Sequence, residues 1–271
     1  MDRSKIFYPS ISQAAGLMLV FIAFAIVVAL PFESFAALLP APLNTNPLIQ
    51  SALGLVGYGL AVGLTIRRGL RNKSLLDGER PALRFTRVPA GILAMACILT
   101  VFMGFILTVL IGLLPTPGWY EQVMDEALRP NVFSFASVVL LAPLLEEVLF
   151  RGLILEGLLK NYRPSTAIAV SALLFGVVHL NPWQGIAGAL MGIFLGWLYW
   201  KTRSLLPCIL VHATSNLLCY LVGTSSSNTT SNMAANLLSG PPLIALFFGS
   251  AAVFAGGWWW LGKSVRRHVA A

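Results

Sequence analysis

Ionisable side chains interrupt three apolar segments of this sequence. The first segment contains Glu146, Glu147 and Arg151, and two later segments contain His179 and His212. Burying an ionisable group in an apolar environment is costly, so such groups usually face the interior of a helical bundle and serve a function. These side chains are therefore the first candidates for chemistry.

The spacing of the two glutamates predicts different roles for them. Residues four apart share a helix face, so Glu147 and Arg151 are expected to pair, with the acid N-terminal to the base as helices prefer. Glu146 is turned about 100° away from Glu147 and lacks this partner. We expect Glu147 to be structural and Glu146 to be available as a general base. The alternative is that both acids simply lie at a helix end near the inner membrane surface.

The four-residue spacing recurs in two later segments. Phe175 and His179 are expected to place an aromatic ring and an imidazole on one face of a helix. His212 and Asn216 are expected to place two hydrogen-bonding side chains on one face of another helix. A lone histidine in such a position is more often structural, and a His–Asn pair can join helices by hydrogen bonds. Three polar clusters in a chain with 3 His and 10 Asp+Glu favour a shared site.

Together these residue types are suited to the attack of water on an amide bond. Glu146 would act as the base, and His179 would share or carry its proton. His212 and Asn216 would donate hydrogen bonds to an oxyanion. The sequence contains no H-E-x-x-H and no G-x-S-x-G motif, and no Ser-His-Asp arrangement is apparent, so the common protease signatures are absent.

A zinc ion is the alternative to this metal-free chemistry. A catalytic zinc usually takes three protein ligands and a water, and Glu146, His179 and His212 would be its ligands here. No two candidate ligands lie one turn apart on a single helix, because His212 is followed at that spacing by Asn216, a poor zinc ligand. We therefore favour a mechanism without a cofactor.

The elements that position these side chains are membrane-spanning helices. The chain is 57% hydrophobic and 10% charged, with mean hydropathy +0.81, whereas soluble domains have about 25% charged residues. Apolar runs long enough to cross a bilayer predict an all-α, polytopic integral membrane helical bundle of about eight transmembrane helices. The predicted spans are 11–31, 48–66, 90–114, 132–150, 166–180, 185–200, 205–222 and 241–262. Asn181-Pro182 is expected to separate the fifth span from the sixth, because proline disfavours helix in the preceding residue.

The basic residues predict the orientation of these spans. All of the 18 Lys and Arg residues except Arg129 lie on one side of an eight-span arrangement, and such residues are retained on the cytoplasmic side. Both termini are therefore expected in the cytoplasm, within the plasma membrane if the protein is bacterial. The net charge of +8 reflects this sorting and attraction to the lipid bilayer, and we expect no nucleic acid partner.

Three regions are predicted along the chain. Residues 1–131 would form N-terminal helices with a basic cytoplasmic loop at 67–87, and residues 132–222 would form the catalytic core. Residues 223–271 would contain an external loop at 223–236, the last transmembrane helix and a basic tail.

The motifs E-E-x-x-x-R, F-x-x-x-H and H-x-x-x-N follow one another over residues 146–216. In this order they resemble the CAAX protease and bacteriocin-processing enzyme family, also called the Abi or type II CAAX prenyl endopeptidase family. The resemblance implies an intramembrane endopeptidase whose site opens toward the cytoplasm and whose substrate is a membrane-associated or lipid-modified protein or peptide.

The resemblance also implies roles for individual residues. Glu146 and His179 would activate water, and His212 and Asn216 would form the oxyanion site. Glu147 and Arg151 would maintain the geometry, with Phe175 as a supporting residue. Both a metallopeptidase mechanism and a metal-free glutamate mechanism have been argued for the family.

Two other classes of function use the same residues. In a transporter or proton-coupled membrane protein, Glu146, His179 and His212 would form a proton relay. Transporters often show paired halves with broken helices at corresponding places, and no such symmetry is visible here. A non-catalytic membrane scaffold would bind a partner helix in the same cavity.

Overall fold

The computed structural model describes residues 6–78, 83–225 and 241–270. The described residues are predominantly helical, with no strand among them. Their helices are α1 (Ile11–Leu38), α2 (Pro47–Asp77), α3 (Ala90–Ile111), α4 (Gly118–Ala127), α5 (Val132–Asn161), α6 (Pro164–Val177), α7 (Pro182–Thr202), α8 (Leu205–Ser225) and α9 (Pro241–Ala270). The predicted all-α fold is confirmed.

Six helices of the described part of the chain are long and apolar enough to cross a membrane: α1, α2, α3, α5, α8 and α9. The protein is therefore an integral, multi-pass membrane protein, and the predicted count of eight is approximate. The two remaining predicted spans correspond to α6 and α7. With 14 residues, α6 extends about 21 Å, which is less than the roughly 30 Å thickness of a hydrocarbon layer.

Several predicted boundaries require correction. The predicted loop at 67–87 is partly helical, because α2 continues to Asp77 and ends at Gly78, whose left-handed φ of 71° terminates the helix. Similarly, α5 continues beyond the predicted end at residue 150 to Asn161. The predicted spans end immediately before Arg67 and Arg151. Arginine is a good helix former, so both helices continue past these charged residues. Most of the predicted external loop at 223–236 lies outside the described residues.

The predicted break between the fifth and sixth spans is present. α6 ends at Val177, and α7 begins at Pro182. The side chain of Asn181 caps α7 by accepting a hydrogen bond from the backbone N–H of Gln184 at 2.9 Å. Proline suits the first position of a helix because it has no N–H to satisfy there.

One helix was missed by the prediction. α4 is short and amphipathic, and its apolar run is too short to predict a membrane span. Tyr120 of α4 stacks on Trp183 at the start of α7, with ring centroids 4.7 Å apart. α4 therefore covers the turn that joins α6 to α7.

α5 is the central element of the bundle, since it packs against α2, α6 and α8. α6 and α7 form an extensive helix pair, which small residues bring together. A Cβ added at Gly192 would lie 2.9 Å from the Cα of Ala172, and one added at Gly176 would lie 2.5 Å from the backbone oxygen of Gly185. Such close approach is typical of helices that pack within membranes.

Candidate active site

The predicted pair of Glu147 and Arg151 is present at the centre of the bundle. Nη1 of Arg151 donates to Oε1 of Glu147 at 2.9 Å, and both side chains are fully buried. Nη2 of Arg151 donates to the backbone oxygen of Gly192 on α7 at 3.2 Å, and the guanidinium lies 4.7 Å from the ring centroid of Phe175 on α6. Arg151 therefore links α5 to the α6–α7 pair.

Glu147 has a second partner that the sequence did not indicate. Nδ1 of His212 on α8 lies 2.8 Å from Oε1 of Glu147. A carboxylate oxygen accepts, so Nδ1 of His212 is the donor and carries the hydrogen. In the neutral ring, Nε2 of His212 is then unprotonated.

Glu146 points to a different side of α5, as its position in the helix predicts. The hydroxyl of Tyr58 on α2 donates to Oε1 of Glu146. Oε2 of Glu146 lies 3.8 Å from Nε2 of His212, which is too long for a direct hydrogen bond. Glu146 therefore has one oxygen held by α2 and the other directed toward His212.

His179 lies in the turn after α6 rather than on the helix itself, which corrects the prediction of a shared helix face. The helix ends at Val177, and Leu180 adopts a left-handed conformation with φ of 56° that turns the chain. Nδ1 of His179 nevertheless lies 2.8 Å from the backbone oxygen of Phe175. A carbonyl only accepts, so Nδ1 is the donor, and Nε2 is unprotonated in the neutral ring.

Phe175 lies between the two histidines. Its ring centroid is 5.4 Å from that of His179 and 5.5 Å from that of His212, both in edge-to-face orientation. Phe175 is almost fully buried, and Phe150 of α5 packs against it in the same manner. The rings of Phe175 and His179 are therefore in contact, although His179 lies beyond the end of α6.

A cavity of about 110 Å³ adjoins Glu146 and His179. Its polar lining consists of Tyr58, Glu146 and His179. Its apolar lining is formed by Phe21, Val62, Leu149, Phe150 and Val178. The cavity therefore places a carboxylate and an imidazole beside apolar side chains.

Asn216 contacts the backbone of α5 rather than another candidate side chain. Its Nδ2 donates to the carbonyl of Val138 at 2.8 Å. α5 is π-helical at Ala136–Leu141, and the N–H of Ala142 bonds to the carbonyl of Ser137, five residues earlier. In this register residue 143 would donate to Val138, but it is proline and has no N–H. Asn216 supplies the hydrogen bond that Pro143 cannot.

The structure thus brings Glu146 and Glu147 to His212 and places His179 beside the same cavity as Glu146, whereas Asn216 lies one turn further along α8. Tyr58 was missed by the sequence analysis, because no local pattern distinguishes it from other tyrosines in apolar helices. Among the residues that the structure describes, no group of three or more His, Cys, Asp or Glu side chains is arranged to hold a metal ion. The three candidate zinc ligands do not converge into such a group.

The segment that contains these residues is similar to a known protein family. A family model described as "Type II CAAX prenyl endopeptidase Rce1-like" matches residues 128–218. The chain contains an Rce1-like domain. The matched region covers α5, α6, α7 and α8 up to residue 218, so it includes Glu146, Glu147, His179, His212 and Asn216. The predicted resemblance is confirmed, and the match supports a protease embedded in the membrane. No curated protein and no solved structure shows significant similarity to the chain.

Proposed function

We propose that this protein is an intramembrane endopeptidase of the CAAX prenyl protease type, which uses a glutamate to activate water. The carboxylate of Glu146 on the wall of an apolar cavity supports this proposal, because Tyr58 binds one of its oxygens and His179 lines the same cavity. The substrate would be a membrane-associated or lipid-modified protein or peptide. The description of the matched family and the apolar lining of the cavity favour this class of substrate.

The geometry assigns the proton transfers to particular atoms. Oε1 of Glu146 is engaged by Tyr58, so Oε2 would accept the proton of the attacking water. The oxygen of that water would form a bond to the carbonyl carbon of the scissile peptide. Nε2 of His179 is unprotonated in the neutral ring, because Nδ1 carries the hydrogen that is donated to the carbonyl of Phe175. The proton that Glu146 takes from water would therefore pass to Nε2 of His179. As the carbon–nitrogen bond breaks, this proton would pass to the leaving amine.

His212 and Asn216 would stabilise the oxyanion of the tetrahedral intermediate. The Nδ1 hydrogen of His212 is directed at Glu147, so His212 donates through Nε2 only when its ring is doubly protonated. The amide of Asn216 has two N–H groups. One of them bonds to Val138, which leaves the other for the oxyanion.

We propose that the reaction needs no metal. Glu146, His179 and His212 all lie among the residues that the structure describes, and they do not form a group that could hold zinc. No step of the mechanism is therefore assigned to a metal ion. A carboxylate and an imidazole can transfer the protons of this reaction by themselves.

We also propose that both termini lie in the cytoplasm and that the site opens on that side. The basic residues support this orientation, since they are concentrated on one side of the predicted spans. In a bacterial cell the protein would then lie in the plasma membrane. The division into 1–131, 132–222 and 223–271 stays a prediction.

The substitution Glu146→Gln tests the proposed chemistry. The full chain would be purified in detergent and incubated with peptides that carry a prenylated C-terminal CAAX sequence and with unmodified peptides of the same sequence. Cleavage would be followed by mass spectrometry. An amide keeps the shape of the carboxylate but does not accept a proton from water, so Glu146→Gln should abolish cleavage without lowering the melting temperature.

Glu156→Gln is the matched control, because Glu156 lies on the same helix but contacts Tyr199 and Arg203 instead of the cavity. This variant should still cleave the peptide. Cleavage by Glu146→Gln at the rate of the unmodified protein would contradict the proposed function.

A further inference from the structure

Among the described residues, Tyr58 is the one hydrogen-bond partner of the Glu146 carboxylate that lies outside the Rce1-like domain. It lies on α2, seventy positions before the first matched residue. Its hydroxyl donates to Oε1 of Glu146, and both residues line the same cavity. The N-terminal helices therefore contribute a polar group to the candidate site.

Two glycines allow this contact. A Cβ added at Gly57 would lie 3.1 Å from the Cα of Ala29 on α1, and one added at Gly59 would lie 3.3 Å from a side-chain carbon of Leu141 on α5. Tyr58 therefore stands at a point where α2 closely approaches a helix on either side. A larger residue at either glycine would compete with that approach and move the phenol relative to Glu146.

The direction of the hydrogen bond determines its effect. The phenol is the donor and the carboxylate oxygen is the acceptor. Hydrogen bonds to charged groups are roughly twice as strong as those between neutral groups. With Oε1 held by Tyr58, Oε2 remains directed toward Nε2 of His212, at 3.8 Å. The carboxylate is therefore restrained in rotation, with one oxygen presented to the site.

We propose that Tyr58 is a positioning residue for the catalytic base, holding Oε1 of Glu146 so that Oε2 meets the attacking water. This inference rests on the proposed function of Glu146. The phenol keeps its own proton throughout the reaction, so no covalent or redox step is assigned to it. If Tyr58 had a purely structural role, its hydrogen bond would only join α2 to α5 and its loss would not change the rate of cleavage.

The substitution Tyr58→Phe separates these two roles, because it removes the hydroxyl and keeps the ring. It should lower kcat about 10- to 100-fold, the range expected from the loss of a hydrogen bond to a charged group, with little change in KM.

Tyr199→Phe is the matched control. The hydroxyl of Tyr199 donates to Oε2 of Glu156 at 3.0 Å, which is a second buried tyrosine–glutamate hydrogen bond between two helices of the same bundle. Removing it should leave kcat unchanged. If Tyr58→Phe and Tyr199→Phe both retain full kcat while Glu146→Gln is inactive, the inference about Tyr58 is wrong and the proposed function stands.

A measurement without substrate tests the contact independently of activity. Infrared difference spectra between the unmodified protein and Glu146→Gln would identify the carboxyl band of Glu146. We expect Tyr58→Phe to shift that band and Tyr199→Phe to leave it unchanged. An unshifted band would overturn the inference even if no cleaved peptide were found, and absence of cleavage by the unmodified protein would contradict the proposed function separately.

Discussion

Glu147 and His212 are joined by a buried hydrogen bond between α5 and α8. Nδ1 of His212 lies 2.8 Å from Oε1 of Glu147, and the same oxygen accepts from Nη1 of Arg151 at 2.9 Å. One carboxylate oxygen thus orients both the cation that links α5 to α7 and the imidazole that faces Glu146. The two adjacent glutamates consequently have separate surroundings, and they should respond differently to the same substitution.

Glu147→Gln should destabilise the protein rather than only inactivate it. The change leaves the buried charge of Arg151 without a counter-ion, and breaking a buried ion pair in this way costs roughly 3–5 kcal/mol. Arg151→Ala should have a similar effect, because it leaves the charge of Glu147 unpaired. Equilibrium unfolding in mixed micelles would measure the loss of free energy of unfolding.

The exposed pair of Glu126 and Arg129 is the control for this prediction. Its charged atoms are 3.7 Å apart, and the Glu126 side chain is 71% exposed. Exposed ion pairs contribute about 0–1 kcal/mol, so Glu126→Gln should change stability little. A stable but inactive Glu147→Gln protein, together with an active Glu146→Gln protein, would reverse the assignment of the two glutamates.

Asn216→Ala should lower stability by about 1–3 kcal/mol, since it leaves the partly buried carbonyl of Val138 without this side-chain donor. Thr214→Val on the same helix is the control, because its hydroxyl is exposed and bonds only to its own helix, at Leu210. Its effect should stay within about 0.5 kcal/mol, as for most surface substitutions. Thermal unfolding of both variants would be compared.

Pro143→Ala tests the physical reason for this hydrogen bond. Alanine at position 143 restores the backbone N–H that can donate to the carbonyl of Val138 in the π-helical register. Asn216→Ala should therefore lower the free energy of unfolding less in the Pro143→Ala background than in the unmodified protein. Equal costs of Asn216→Ala in both backgrounds would show that Pro143 is not the reason that Val138 needs a side-chain donor.

Chelation should leave the activity intact if the reaction needs no metal. Purified protein would be assayed before and after prolonged treatment with a chelator, and its metal content would be measured by elemental analysis. We expect no stoichiometric metal and unchanged cleavage. About one zinc per chain, with activity lost on chelation and restored by zinc, would refute the metal-free mechanism and make Glu146, His179 and His212 ligands.

The orientation of the chain is open to a direct test. Reporter fusions after residues 78, 162 and 202 should give cytoplasmic signals, and fusions after residues 40, 116 and 228 should give external signals, because basic residues are retained inside. A cytoplasmic signal at 116 or 228 would contradict the eight-span arrangement.

The α6–α7 turn would be probed with Asn181→Cys in a background without Cys97, Cys208 and Cys219. Labelling by an impermeant reagent from outside would show that α6 and α7 reach the external surface.

Sequence alone determined the features that depend on composition and on near neighbours in the chain. An apolar run of sufficient length predicts a membrane helix because the backbone must satisfy its hydrogen bonds internally in lipid. The pairing of Glu147 with Arg151 followed from four-residue spacing, since the helix itself brings these side chains together. The break at Asn181-Pro182 followed from the missing N–H of proline. The three motifs together indicated a resemblance that the family match to residues 128–218 confirms.

Tertiary structure decided the contacts between residues that are far apart in the sequence. Tyr58 and Glu146 are 88 positions apart, Glu147 and His212 are 65 apart, and Val138 and Asn216 are 78 apart. No local periodicity contains these pairings, because they depend on how α2 and α8 pack against α5. The position of His179 beside the cavity also depends on packing, because the chain turns after Val177 and α7 then packs against α6. The sequence could therefore supply the groups that do the chemistry, whereas helix packing decided which atoms of those groups face one another.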